Sequence, residues 1–210
     1  NRPFTDYTTA ANAERRKEFL KVTVDLLIEN LQSLVADWAP NLENYRNDFV
    51  GAQPKESLQK ILLGMTLLSG FELAGERILV AYESKAQEDE HSCFSDTTHN
   101  DAIYDIIGIK NIWTGKYTRA DGSIINGTGI KDLGLEIDND LTKKIDASLN
   151  SALKKSMEVP RPFDQAILAE EGSATSKSII SLIEELESTA DNLVVMADKS
   201  GVKVSREPDE

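Results

Sequence analysis

Two short segments of this sequence concentrate side chains that could do chemistry, and the first is Glu72-Leu-Ala-Gly-Glu76-Arg77. Glutamates four residues apart share one face of an α-helix, and Arg77 then lies about a quarter-turn from Glu76. Two carboxylates on a largely buried helix must pair with cations, share a proton or bind a metal ion, because an unpaired buried charge is strongly unfavourable. The planar fork of Arg77 suits a carboxylate on another helix. Ordinary ion pairs at a helix edge are the alternative, and they are common.

The second segment, EDEHSCFSDTTHND at 88 to 101, holds both histidines of the chain. Imidazole and carboxylate groups from Glu90, His91, Asp96 and His99 are donors suited to iron, zinc or manganese. The spacing matches no standard zinc motif, because HExxH is absent and one cysteine cannot form a thiolate cluster. A polar loop that enters a helix is therefore an open alternative to a metal site. Cys93 is most simply a small buried residue rather than a nucleophile.

Composition and missing motifs exclude several classes of function. The chain carries 36 acidic and 23 basic side chains, a formal charge of -13 that would repel nucleic acid and anionic lipid. No apolar run reaches the roughly 18 to 20 residues that cross a bilayer. A single cysteine allows no intrachain disulfide. The sequence also lacks a GxxxxGK[ST] loop, a GxGxxG turn and a GxSxG elbow, which argues against the commonest nucleotide-binding and hydrolase sites.

Apolar periodicity predicts about five main helices that position these segments. Proline and glycine punctuate them, since Pro40 ends the first, Pro54 starts the second and Gly201 closes the last. Three glycines in the second helix, Gly64, Gly70 and Gly75, indicate close approach of another helix or a kink. A turn-rich stretch at 118 to 129 predicts a small hairpin or loop. The predicted helices span Asn12 to Trp38, Pro54 to Tyr82, Thr98 to about Gly115, Asp138 or Asn139 to Met157, and Thr175 to Lys199.

This pattern predicts an all-α fold, an antiparallel helical bundle, because strand signals are nearly absent. No internal domain boundary is evident. We expect one helical domain over residues 1-202 and a charged tail over 203-210.

Several local strings resemble the imelysin family in type and order. They include RPFTDY at 2 to 7, ERRKEFLKV at 14 to 22, ELAGER at 72 to 77, EDEHSCFSD at 88 to 96 and PFDQAI at 162 to 167. The resemblance implies a bacterial protein of the periplasm or attached to the outer membrane, built from two helical bundles and often encoded with iron-uptake systems. It is sometimes classed as an insulin-cleaving metallopeptidase. The chain resembles the second, C-terminal bundle.

The resemblance also bears on the candidate site. The GxHxxE motif of the family belongs to the first bundle and is absent from this sequence, which puts a self-contained peptidase site in doubt. Gly70-Phe71-Glu72 with Glu76 resembles a degenerate copy of that motif, as expected if the bundles arose by duplication. A site between the bundles would draw on this half for eight residues, namely Glu72, Glu76, Arg77, Glu90, His91, Ser92, Ser95 and Asp96.

Two departures from the family add expectations. Alanines at positions 10, 11 and 13 stand where related sequences often carry cysteines, so Cys93 is expected to lack a disulfide partner. The chain opens without the first bundle. We therefore expect a cleavage product or an isolated half, whose natural partner is that bundle and whose second partner is an iron-uptake component of the envelope.

Three hypotheses of function follow. The first is a cell-envelope protein of iron uptake that binds metal, a metal chelate or a partner at a polar interdomain cleft. Ligand contacts would come from Glu72, Glu76, Arg77, Ser92, Ser95 and Asp96, and metal contacts to iron or zinc from Glu90, His91 and His99. The second is half of a metallopeptidase, inactive alone, in which a glutamate activates metal-bound water when the GxHxxE bundle is present. The third is a structural interaction bundle.

Overall fold

A computed structural model describes residues 3–208 of the chain. Its contacts divide the chain into two compact units, Asn1–Ser57 and Leu58–Glu210. The single domain expected over residues 1-202 stays a prediction.

The first unit contains a long helix followed by a tightly fixed turn. Trp38 follows the long helix, and its ring lies edge-on to Tyr45 and Phe49, with centroids 5.3 and 5.5 Å away. Asn44 caps the next helix by accepting the N–H of Asn47 at 3.1 Å and donates to the carbonyl of Ala36 at 2.7 Å. The elements are a 3₁₀ turn (Phe4–Tyr7), α1 (Ala13–Asp37), α2 (Tyr45–Gly51) and the start of α3 (Pro54–Thr66).

Helix α1 confirms the predicted helix after Asn12, yet its apolar side chains are exposed. Ala13 is buried, whereas ten larger apolar residues distributed around the helix are exposed. Apolar residues on several sides are typical of a helix that other elements cover. The spacing therefore predicted the helix correctly but did not indicate that its apolar side chains are exposed. The exposed residues are Phe19, Leu20, Val22, Val24, Leu26, Leu27, Ile28, Leu31, Leu34 and Val35.

The second unit is a bundle of long helices with a small hairpin. The rod formed by α3, a π-helix and α4 packs through its π-helix against α9 and α5, and α7 packs against α9 and α5. In chain order the elements are the remainder of α3, the π-helix (Leu67–Leu79), α4 (Val80–Ser84), a 3₁₀ turn (Gln87–Asp89), α5 (Thr98–Thr114), β1 (Lys116–Thr118), β2 (Ile124–Asn126), α6 (Ile130–Ile137), α7 (Asn139–Glu158), α8 (Phe163–Ala166) and α9 (Ala174–Lys199).

Two groups of buried side chains form the core of this unit. Around Trp113 lie Leu62, Met65, Ile109, Ile145, Leu149, Leu193, Met196, Ala197 and Val202. Around Phe163 lie Leu73, Ala74, Ile78, Ala81, Tyr82, Ala102, Ile106, Ala152, Val159, Ala166, Ile167, Ile179, Leu182, Ile183 and Leu186. Both groups draw on the rod, α5, α7 and α9, so apolar burial joins the four long elements.

The π-helix is the part of the rod that the sequence did not predict. Its backbone bonds run i→i+5, a pattern that is rare over more than one turn and frequent near functional sites. Gly70 permits it to approach α9, because a Cβ at Gly70 would lie 2.8 Å from the Cβ of Ala190. The close approach of another helix, as predicted, thus explains the glycine at position 70. It does not explain Gly64, because a Cβ added there would meet no atom of the described chain within 4 Å.

The other predicted boundaries are largely confirmed. Asp138 caps α7 by accepting the N–H of Leu141 at 2.9 Å, and this bond, together with Lys199, holds the pKa of Asp138 below its usual value. The hairpin pairs β1 with β2 antiparallel, with Tyr117 opposite Ile125. Helix α6 was not predicted. The described architecture is an all-α helical bundle, as expected.

The segment after α9 follows the surface of the bundle. Val202 is buried and Val204 packs against the Trp113 group. The side chain of Gln59 donates to the carbonyl of Lys203 at 2.8 Å, and Arg206 contacts Asp191 at 2.8 Å. Residues 203–208 are therefore attached to α3 and α9. Within residues 3–208, no helix combines the length and the apolar character needed to cross a membrane.

A polar clamp joins α7 to α9 beside the apolar core. Glu185 accepts hydrogen bonds from Ser148 at 2.7 Å, Ser151 at 2.6 Å and Lys155 at 2.7 Å. Burial alone would raise the pKa of Glu185, but the bonds from Lys155, Ser151 and Ser148 outweigh it and hold that pKa below its usual value.

Because the pKa of Glu185 is lowered by folding, the clamp should stabilise the protein above about pH 4.5 and weaken as the pH falls through the folded-state pKa. We expect Glu185→Gln to cost about 1–3 kcal/mol at pH 7. The gap between the two proteins should shrink in acid. Urea denaturation from pH 7 to pH 3 measures it, with the exposed neighbour Glu184→Gln as the control. A pH-independent gap would contradict the role of the charge.

Candidate functional site

The structure corrects the expected geometry of the Glu72–Arg77 segment. Arg77 does not clamp another helix but lies 3.2 Å from Glu72 on its own π-helix, both side chains being about 45% exposed. The i→i+5 pattern explains this pair, because its wider turn brings a residue five positions on closer to the first than an α-helix does. A half-exposed pair of this kind contributes about 0–1 kcal/mol.

Glu76 is exposed and Glu72 is half-exposed, which agrees with the alternative of ordinary ion pairs at a helix edge. The Glu76 side chain borders a surface groove of about 390 Å³. The far wall of that groove is the segment after α9. The lining residues are Gly70, Phe71, Gly75, Glu76, Ser205, Arg206 and Glu207.

The segment before α5 folds into a loop held by its own side chains. Gln87 donates to both the Asp96 carboxylate and the Cys93 carbonyl at 2.9 Å. The Ser95 hydroxyl bonds that of Thr97 at 2.8 Å, and the Ser92 N–H donates to the Thr98 hydroxyl at 3.1 Å. The predicted ligand contacts at Ser92, Ser95 and Asp96 thus belong to an ordered loop.

Glu90 is the most unusual acid of this loop. It is 5% exposed, and neither carboxylate oxygen has a hydrogen-bond partner within residues 3–208. Burial raises the pKa of Glu90, and the nearby charges of Asp164 and Asp96 raise it further, although the Thr98 side chain opposes the shift. Glu90 is therefore more readily protonated than an exposed glutamate.

His91 connects the loop to α5 and the π-helix. Its Nδ1 lies 3.5 Å from the Asp101 carboxylate. Burial raises the pKa of Asp105, the charges of His91 and Arg77 oppose that rise, and Asp101 adds to it. His91 therefore contacts Asp101, and the charges of His91, Arg77 and Asp101 act on Asp105.

We call the combined set the polar cluster. It contains Arg77, Glu90, His91, Asp96, Asp101, Asp105 and Asp164. The sequence missed three of these residues. Asp101 and Asp105 stand four apart on one helix face, a signal that could have been used, and Asp164 lies in the PFDQAI string. Of the residues predicted to bind metal, Glu90 and His91 belong to the cluster.

His99, the third residue predicted to bind metal, is the second residue of α5. Its Nδ1 is buried without a partner in the described part of the chain. Within residues 3–208, no group of three or more histidine, cysteine or acidic side chains is arranged to hold a metal ion. The metal site at Glu90, His91 and His99 stays a prediction. Cys93 is a free, half-buried thiol.

Fold and cluster together define an all-α bundle protein that carries a partly buried group of acids beside histidine and arginine. The chain matches the family model described as Imelysin over residues 1–190, and it belongs to the imelysin family. This family model is classed among the peptidase families, and the chain is peptidase-like in that sense. No curated protein matches it.

Proposed function

We propose that this imelysin-family protein acts in bacterial iron uptake at the cell envelope, in the periplasm or attached to the outer membrane. It binds a metal chelate at the polar cluster. In the whole protein this cluster would face the first bundle, with Glu72 and Glu76 nearby, and an iron-uptake component of the envelope would deliver or receive the chelate.

One observation carries the proposal: buried polar atoms of the cluster lack hydrogen-bond partners. They are both oxygens of Glu90 and the Oδ1 of Asp164, none of which has a hydrogen-bond partner in residues 3–208, while the Oδ2 of Asp101 has only the longer contact with His91 at 3.5 Å. A buried polar atom without a partner costs about 1–3 kcal/mol. Such atoms are normally rare, and a ligand that satisfies them recovers part of this cost on binding.

The charge of the cluster favours a cationic chelate, because five carboxyl groups stand against Arg77 and His91. A cationic donor on the chelate can satisfy the unpartnered carboxyl oxygens, while Arg77 and His91 can donate hydrogen bonds to the chelator oxygens. A chelate already fills most of the coordination sphere of its metal, so it requires hydrogen-bonding groups rather than a full set of protein ligands. Direct binding of iron or zinc by Glu90, His91 and His99 is a different outcome of the same test.

The metallopeptidase alternative is supported by the class of the family model. It requires the GxHxxE motif, which this sequence lacks, and therefore the first bundle of the family. A structural interaction bundle would leave the cluster without a ligand.

Calorimetric titration with ferrioxamine B, a ferric hydroxamate that carries a positive charge, and with ferrous and zinc ions tests the proposal. We expect ferrioxamine B to bind, and His91→Ala to weaken binding about tenfold, the loss of one hydrogen bond to a charged group. The exposed Glu88→Gln in the same segment is the matched control and should bind as the parent does. Binding of the free ions alone, lost with His91 or His99, would favour a metal site. If none of the three ligands binds, both the chelate site and the metal site are contradicted.

A further inference from the structure

A cavity at the beginning of α1 lies outside the polar cluster and has no assigned role. Its volume is about 480 Å³, within the range of small-molecule sites. It belongs to the first unit. The lining residues are Tyr7, Asn12, Arg15, Arg16 and Phe19.

The cavity is positively charged, in contrast to a chain with a formal charge of -13. Arg16 pairs with Asp6 at 3.0 Å, whereas Arg15 forms no ion pair with any residue that the structure describes. Glu14, the acid nearest in sequence, is paired with Lys17 at 2.7 Å. The described residues that line the cavity thus include two guanidinium groups and no carboxylate.

The start of α1 adds to this potential. Asn12 precedes the helix in a left-handed conformation, with φ at 67°, and makes no side-chain cap to the described backbone. The N–H groups of the first turn carry the positive end of the dipole of a 25-residue helix. Arginines on the cavity wall therefore act together with a helix end of the same sign.

We propose that this cavity binds a small oxyanion, a carboxylate or phosphate group. Arg15 is the principal contact, since its guanidinium is available for a bidentate bond. The Asn12 amide and the Tyr7 hydroxyl add neutral donors, and the Phe19 ring provides an apolar wall for the body of an organic anion. The inference does not depend on iron uptake, because none of these residues belongs to the polar cluster.

Calorimetry with citrate and with inorganic phosphate, in separate titrations, tests the cavity. We expect Arg15→Gln to weaken anion binding at least tenfold, the loss of one charge-assisted pair, and added salt to weaken it in the parent. Lys21→Gln is the matched control on the same helix, since Lys21 pairs with Asp25 away from the cavity, and it should leave affinity unchanged. His91→Ala should also leave it unchanged, which separates this site from the polar cluster.

Flotation with phosphatidylglycerol vesicles distinguishes the source of the anion. Vesicle binding that Arg15→Gln abolishes would assign the site to a lipid headgroup, and binding of soluble anions alone would assign it to a free ligand. The proposal is overturned if no probe binds, or if Arg15→Gln binds every probe as the parent does. Arg15 is exposed, so the variant should fold, and circular dichroism verifies this.

Discussion

Trp113→Ala is expected to lower the free energy of unfolding by about 3–5 kcal/mol, the largest effect of any single substitution considered. The Trp113 side chain is 0% exposed and lies at the centre of the group formed by α3, α5, α7 and α9. Its Nε1 also donates to Asp146 at 3.2 Å, and Asp146 pairs with Lys131 at 2.9 Å. Alanine leaves a cavity and removes that donor, and a domain has only about 5–15 kcal/mol of stability in all.

Urea denaturation followed by far-ultraviolet circular dichroism measures this loss, since the signal does not depend on tryptophan. Tyr104→Ala on the same helix is the control, because Tyr104 is 68% exposed. Its cost should stay within about 0.5 kcal/mol. A loss below about 1 kcal/mol for Trp113→Ala would mean that Trp113 does not form the core.

Gly129→Ala should cost about 3 kcal/mol, the upper end of the range for inserting an atom into a packed site. The end of α5 and the start of α6 cross there with backbone against backbone. A Cβ at Gly129 would lie 2.5 Å from the nitrogen of Gly115 and also meet the carbonyl of Trp113. Backbone atoms cannot rotate aside as a flexible side chain can, so the two backbone segments must move apart.

Gly108→Ala provides a control of opposite sign. Gly108 lies inside α5, and an added Cβ there would meet no atom of the described chain within 4 Å. Alanine should therefore stabilise the helix by about 0.5–1 kcal/mol. Thermal unfolding of the two variants measures both stability changes. A Gly129→Ala protein as stable as the parent would disprove the close crossing.

The long helices could be predicted from sequence because their signals are local. Apolar periodicity, the Asp138 cap and the Gly201 stop depend on residues within a few positions. The π-helix could not be predicted in this way. Its i→i+5 pattern accompanies close packing of Gly70 against Ala190, residues 120 positions apart in the chain, and without it the Glu72–Arg77 pair cannot be anticipated.

The candidate site was predicted in part. Residue types identified the segment at 88 to 101, and the resemblance to imelysins identified the family. Burial of Glu90 could not be predicted, since nothing in a run of polar residues indicates which acid is buried. The approach of Asp164 to Glu90 likewise depends on how α8 packs, which is a tertiary property.

Anomalous diffraction at the iron edge, from crystals soaked with ferrioxamine B, locates the bound iron. We expect an iron peak beside the polar cluster, near His91 and Arg77, with chelator oxygens against them. A weaker peak in His91→Ala crystals at sub-saturating chelate would strengthen the assignment of the iron to the polar cluster. An iron peak elsewhere, including one at the Arg15 cavity alone, or no peak at saturating chelate, would contradict it.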